Sequence, residues 1–271
     1  MRHYDKKLSI VIPSYKDPYL FKTIQSLLDN SELGDGLEVI AVLDGYWPAE
    51  TIQDKRVRYV HLGANRGMRG AINAGVDVAN GQFIGRLDEH CTFGKGYDRI
   101  LTEQCQDNWI MTPKRYFLDP VKWEVMDIPP VEHEKLVIQD CGEGVKKFSG
   151  QRWKSRDEKQ KDVMISETLA MQGSFWIMPH KWWDEHIKEL QTEGYGPLIQ
   201  DSVEVCMKTW QAGGKLMLNK NTWFAHKHRD FSRTHNNGTK ENPAKQNDGY
   251  AYALSIWGDY YNNVIKPTWG I

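Results

Sequence analysis

The chain has 271 residues, 40% hydrophobic and 26% charged, with 35 Lys and Arg against 36 Asp and Glu for a formal net charge of −1. That length suits one catalytic unit with a substantial core, and the charge balance excludes a global field pulling the chain onto nucleic acid or membrane, so any polyanion surface has to be local. Cys91, Cys105, Cys141 and Cys206 are widely spaced with no C-x-x-C, which argues against a zinc knuckle or a dense disulfide framework; with no run of about 18 apolar residues and too short an apolar stretch at the start for a signal peptide, a soluble, cytoplasmic protein without membrane contact is expected.

The first hundred residues alternate strand and helix signals. "LSIVIP" (8–13), "LEVIAVL" (37–43), "VRYVHL" (57–62) and "QFIGRL" (82–87) are short β-branched runs with helical periodicity between several of them. This is the pattern of an α/β fold with a mostly parallel sheet flanked by helices. On the helix expected from Gly67 to Ala79, Arg66, Arg69, Asn73 and Asp77 recur at helical spacing opposite an apolar side. That stripe reads either as a solvated face or as two guanidiniums beside an anionic ligand.

The run Phe83 to Leu87 ends on Asp88, Glu89 and His90. A strand that stops on two carboxylates and an imidazole places charge at the rim of a sheet, where open α/β folds bind ligands and metals. From Pro113 to about Ser166 the regular pattern dissolves, which predicts a lid, a binding loop or partly disordered chain. Within it, Lys146 to Lys161 is rich in Lys and Arg with Phe148 and Trp153 interleaved, and Lys114, Arg115 and Tyr116 precede it. Such a composition tracks phosphates and stacks bases, or forms a solvated lid.

Order resumes with a strand-like "LAMQGSFWIMP" (169–179) holding Gly173, then a helical "HKWWDEHIKEL". Next, Ile199, Val203, Cys206, Met207 and Trp210 form an apolar helical stripe that stops at Gly213 and Gly214, with Asp201, Glu204 and Lys208 opposite it. A further strand leads to His226 and His228, and the Asn-, Lys- and Tyr-rich tail holds a helix from about Asp248 to Tyr261.

Five segments taken in order, "LSIVIPSYKDPYLFKTIQSLL", "LEVIAVLDG", "NRGMRGAINAGVDVANGQFIGRLDEHC", "MQGSFWIMPHKWWDE" and "QDSVEVCMKTWQAGG", resemble glycosyltransferases of the GT-A fold. The first three are similar to family-2 enzymes and the last two to polypeptide N-acetylgalactosaminyltransferases. The resemblance implies a single GT-A domain: a nucleotide-sugar-binding half (1–112), a variable insert or lid (113–168), an acceptor half (169–230) and a C-terminal extension (231–271). It also implies a divalent metal, manganese before magnesium, on the diphosphate of a UDP-sugar donor, with Asp88 and His90 as an Asp-x-His pair and His226, or its rival His228, as the distant ligand. A cation held by mixed oxygen and nitrogen ligands neutralises the charge growing on a pyrophosphate leaving group.

Residue by residue, Pro13, Ser14 and Tyr15 match the first-strand loop that cradles uracil and ribose, and Asp44 matches the acidic residue that contacts the base. Arg66, Arg69 and Asn73 would face the diphosphate, and Gly173 would let backbone approach the sugar. The family-2 Glu-Asp pair corresponds here to Asp201-Ser202, so serine stands where the base is expected. Either Asp201 is the base, with Glu204 in reserve, or configuration is retained without one. The nucleotide sugar is the expected partner, and the acceptor is a hydroxyl. A hydroxymethylated pyrimidine in DNA, held through residues 114–116 and 146–161, is the leading expectation, ahead of a protein Ser or Thr or a saccharide. A non-catalytic nucleotide-sugar binding module is the alternative class. A nucleotidyltransferase ranks last, because "PSYKDPYL" lacks a Gly-rich loop with Lys or Arg after the first strand.

Overall fold

A computed structural model describes residues 4–196, 199–228 and 243–271. The β-branched runs become β1 (Lys6–Ser14), β2 (Leu37–Asp44), β3 (Val57–Leu62) and β4 (Gly81–Leu87), with α1 (Leu20–Asn30) crossing from β1 to β2 and α2 (Gly67–Asp77) from β3 to β4. All pair in parallel, and β2 is buried along its whole length, as a strand covered on both faces must be. Alternation divides the core. Leu8, Ile10, Ile12, Val39 and Ala41 face α1, while Val11, Ile40 and Val42 meet Ala71, Ile72 and Val76 of α2. Helix α2 sits so close to the sheet that a Cβ on Gly75 would come within 2.3 Å of Val11 Cγ1.

The chain continues through β5 (Cys91–Phe93), α3 (Tyr97–Gln104), β6 (Trp109–Asp119), β7 (Glu124–Val125), β8 (Glu134–Asp140), β9 (Lys146–Arg152), α4 (Lys154–Lys159) and β10 (Ile165–Glu167). The expected irregular stretch from 113 to 166 is therefore largely regular, and its centre is a β8–β9 hairpin. Leu136 and Phe148 turn inward and pack with Tyr195, Val203 and Met207 and with Ala253, Trp257 and Tyr261 near the C-terminus.

After β11 (Phe175–Pro179), the helical run is shorter than expected. One turn, α5 (His180–Trp182), passes into a π-turn at Trp183–Ile187. Then come α6 (Asp201–Gln211), β12 (Lys215–His226), α7 (Pro243–Tyr260), which starts earlier than expected, and α8 (Lys266–Trp269). Positions 229–242, including the start of the expected C-terminal extension, lie outside the described residues. The main sheet runs β3-β2-β1-β4-β11-β6-β12-β10. β11 is antiparallel to both neighbours, β6 and β12 are parallel, and β5 pairs with the end of β12. Among the described residues no helix is long and apolar enough to cross a membrane.

Candidate active site and metal centre

β1 has β2 on one side and β4 on the other, so the carboxyl ends of β1 and β4 border the point where strand order reverses. This is the crevice in which open α/β sheets bind ligands. Asp88, Glu89 and His90 follow β4 at this rim. The antiparallel pairing of β5 with β12 sets His226 opposite Cys91 and so delivers it beside them.

His226 Nε2 lies 3.2 Å and His90 Nε2 4.0 Å from Asp88 Oδ2, and the two imidazoles are 4.9 Å apart. One ligand atom from each of the three residues falls within 4.8 Å of the others. Donors each about 2.1 Å from a shared ion must lie no more than roughly 4.2 Å apart across it, so the distances to Asp88 fit a common divalent ion. The other ends of Asp88 and His90 are fixed, while His226 Nδ1 is buried without a hydrogen-bond partner among the described residues. Arg86 Nη2 holds Asp88 Oδ1 at 2.8 Å, and Oδ2, which meets His226 Nε2 at 3.2 Å, is the oxygen turned toward both imidazoles. His90 Nδ1 faces Asp17 Oδ2 at 3.1 Å, the carboxylate-to-imidazole support that orients metal-binding histidines.

The electrostatics favour a ligand set without bound protons. Burial raises the Asp88 carboxyl, but Arg86 and the hydrogen bond from His226 outweigh it and hold the group well below the usual carboxylate range. Burial pushes the His226 imidazole down to about 4 against the pull of Asp88, so it is neutral, with Nε2 on Asp88 Oδ2 and Nδ1 without a partner among the described residues. His228 is exposed and engages Arg115 Nη1, which separates it from Asp88 where His226 is beside it.

Around this cluster, Pro13 and Ser14 end β1, and the Ser14 hydroxyl bonds Tyr46. Tyr15 donates its amide to Glu89 Oε1 at 2.7 Å and sets its ring edge-on to Tyr46. Glu89 thus braces the first-strand loop. Asp44 takes the amides of Arg66 at 2.6 Å and Gly67 at 2.8 Å, capping α2 from a neighbouring strand.

The Arg66, Arg69 and Asn73 stripe does not form one open face. Arg66 is exposed, but Arg69 is fully buried. Its guanidinium pairs with Glu204, donates to the carbonyls of Ile199 and Gln191, and lies 4.0 Å over the Tyr195 ring. Asn73 exchanges hydrogen bonds with the Leu190 backbone. Helical spacing put these residues on one side of the helix and missed that Leu190, Gln191, Tyr195, Ile199 and Glu204 cover Arg69 and Asn73.

A Cβ on Gly173 would meet Asp201 Oδ2 at 3.6 Å and Ser202 Cβ at 3.4 Å, so these residues share one wall. Asp201 opens α6, and its Oδ2 has no hydrogen-bond partner among the described residues and lies 3.8 Å from Arg86 Nε. Glu204 is instead neutralised by Arg69 and by Lys208 at 2.7 Å. The two segments expected to contact DNA separate in a similar way. Arg115 and Phe148 are buried, and Trp153 packs with Arg156 and Trp269. Lys146, Arg152, Lys154, Lys159 and Lys161 remain exposed.

Arg86 and Asp17 escaped the sequence reading. Arg86 had a signal, since two residues before Asp88 in an extended chain is the same face. Asp17 had none, because only the fold brings it to His90.

Residues 9–185 match the model of the family described as glycosyl transferase family 2. Over 109 residues the chain is 34% identical to the uncharacterized glycosyltransferase EpsJ of Bacillus subtilis (strain 168), a match taking in 37% of this chain and 31% of that protein. Among solved structures, GalNAc-T7 with UDP, GalNAc and Mn2+ superposes with a TM-score of 0.73 at 16% identity over 94% of this chain and 50% of that one. The chain thus spans about half of that structure and less than a third of that relative is matched. At this identity the structural likeness is one of fold, and it is the expected GT-A architecture.

Proposed function

This chain belongs to glycosyl transferase family 2, and we propose that it moves a sugar from a UDP-sugar to a hydroxyl acceptor with a divalent metal held by Asp88, His90 and His226. The observation that carries this reading is the convergence of these three side chains at the switch point of the sheet. The fold neighbour was solved with UDP, GalNAc and Mn2+, which supports the same donor class and ion here. Manganese suits the mixed oxygen and nitrogen set better than magnesium.

When bound, the ion supplies charge neutralisation at the diphosphate. The protein does the rest. Arg86 and Asp17 hold Asp88 and His90 in place, and the Ser14, Tyr15 and Tyr46 group offers a polar and aromatic wall for the base. Exposed Arg66 is the stripe cation able to reach the diphosphate. Asp201, beside Gly173 with an oxygen that faces Arg86 at 3.8 Å and makes no hydrogen bond among the described residues, is the carboxylate able to accept the acceptor's proton, whereas Glu204 is held by two closer cations. For the acceptor, a hydroxymethylated pyrimidine in DNA draws support from the five exposed cations between 146 and 161, ahead of a protein hydroxyl or a saccharide.

The test is UDP release with manganese across a panel of UDP-sugars, with and without DNA containing 5-hydroxymethylcytosine or 5-hydroxymethyluracil. Asp88→Ala and His226→Ala are expected to lose at least about 100-fold of manganese-dependent release while keeping the native circular dichroism. Full activity in both would overturn the metal assignment. Release indifferent to modified DNA would move the acceptor to protein or saccharide.

A further inference from the structure

The residue before Asp201, Gln200, stands in the left-handed region at φ 57° and ψ 22°. A side chain with a Cβ is disfavoured there by contact with its own carbonyl oxygen, which is why glycine usually fills such a position. Gln200 also makes no cap, since its side chain bonds no amide of the first turn of α6. Its amide reaches instead across 52 positions, where Nε2 donates to the Phe148 carbonyl of β9 at 3.1 Å. Oε1 is buried with no partner among the described residues, so the Nε2 bond is the anchor of this side chain.

Backbone strain of this kind persists only where the surroundings over-determine it. Two contacts do so here. On one side the Ile199 carbonyl takes Arg69 Nε at 2.9 Å and Nη2 at 2.7 Å, from a guanidinium that is itself fully buried. On the other, Phe148 packs into the core beneath the hairpin, so the carbonyl that receives Gln200 Nε2 belongs to a fixed strand. The Gln200 carbonyl then accepts the Glu204 amide at 3.0 Å and starts the helix.

The consequence falls on Asp201. An acidic residue at a helix start ordinarily turns its carboxylate to the orphan amides, yet Asp201 Oδ2 takes no hydrogen bond from a described residue. It faces Gly173, where an added Cβ would stand 3.6 Å away, and Arg86 Nε at 3.8 Å. A left-handed residue bends the chain just ahead of the helix and so sets the direction in which the first helical side chain leaves it.

We propose that Gln200 is a positioning residue for the proton-accepting step: its tether to Phe148 holds the strained turn that aims Asp201 Oδ2 at the Gly173 wall, where the acceptor's proton is taken. The assignment rests on Asp201 as the proton acceptor in the reading above. It gives the β8–β9 hairpin, which the sequence marks only as an insert, a part in the chemistry through one side-chain amide.

The experiment compares Gln200→Gly and Gln200→Glu in the full chain, each with and without Asp201→Asn, using the best UDP-sugar and acceptor of the panel. It reads kcat and KM by UDP release, UDP affinity by calorimetry and Tm by circular dichroism. Gln200→Glu keeps the length and removes the donor. Gln200→Gly removes the tether from a residue that adopts the turn without strain, so its Tm should stay within about 4 °C of native, which guards against a folding defect in the other variant. Both should lose at least about tenfold in kcat, as misplacement of a reacting group does, while the UDP dissociation constant stays within about twofold. With Asp201→Asn already present, neither should lower kcat by more than about twofold further, because both act through the same carboxylate. A smaller loss of kcat in either variant, or a loss that persists beside Asp201→Asn, would overturn the positioning role. Full activity in Asp201→Asn alone would instead overturn Asp201 as the proton acceptor and the role of the tether with it.

Discussion

Replacing Arg69 with methionine separates a scaffold from a phosphate contact. The side chain is fully buried, and its guanidinium satisfies Glu204 together with the Ile199 and Gln191 carbonyls at 2.7 to 2.9 Å. Methionine keeps the stem and removes every donor. Breaking a buried ion pair from one side costs about 3–5 kcal/mol, and each carbonyl left without a donor costs about 1–3 kcal/mol more. Lys208 still reaches Glu204 at 2.7 Å and offsets part of this. The expected loss is about 4 kcal/mol, a fall in Tm of roughly 8–16 °C at the 2–4 °C per kcal/mol of a domain near this size. Denaturant unfolding of Arg69→Met, Glu204→Gln and the double variant measures it, and the second substitution should cost much less once the first is present. A loss under about 1 kcal/mol accompanied by weakened UDP binding would refute the reasoning and return Arg69 to the diphosphate.

Arg86→Met releases Asp88 Oδ1 and removes the charge that keeps the carboxyl ionised. Manganese affinity, titrated by electron paramagnetic resonance, should fall about 10–100-fold, as for other supports of metal ligands; unchanged affinity would show that Arg86 does not restrain Asp88. His133 is buried between Asp157 and Ser166 Oγ at 3.0 and 2.7 Å. Burial lowers its imidazole below the ordinary 6.5 against the pull of Asp157. A depressed pKa in the folded state means stability that is complete above 6.5 and lost as pH falls through the folded value. Chemical denaturation at pH 7.5 and 5.5 should therefore show a larger acid loss for the native chain than for His133→Gln, and parallel losses would count against it.

The early parallel strands were legible because they are short, β-branched and separated by helical spacing. β3 coincides with the run read from sequence. The charged rim at Asp88, Glu89 and His90 was legible because charge stands out at the end of an apolar strand, whereas His226 was reached only through the family resemblance. Arg69 was misread because a charged stripe carries no mark of whether another segment covers it. The hairpin was missed because only Glu134, Leu136 and Phe148 of its fourteen paired residues are buried, which leaves the alternation too sparse to stand out from a polar loop. Glu134 itself gave no sign, since an acidic residue in a mostly exposed ribbon reads as surface.

The pair Asp88 and His226 lies 138 positions apart along the chain. Between them the polypeptide must complete the hairpin, the antiparallel β11 and the return through β12 before the second imidazole reaches the first carboxylate. Contacts of such span carry a large loop-closure cost, so the cluster exists only where those elements are already in place. An ion that binds only the finished arrangement stabilises it by mass action, about 2.7 kcal/mol at a hundred times its dissociation constant. If the proposed ion binds there, free metal would therefore add to the stability of the folded chain as well as to its catalysis.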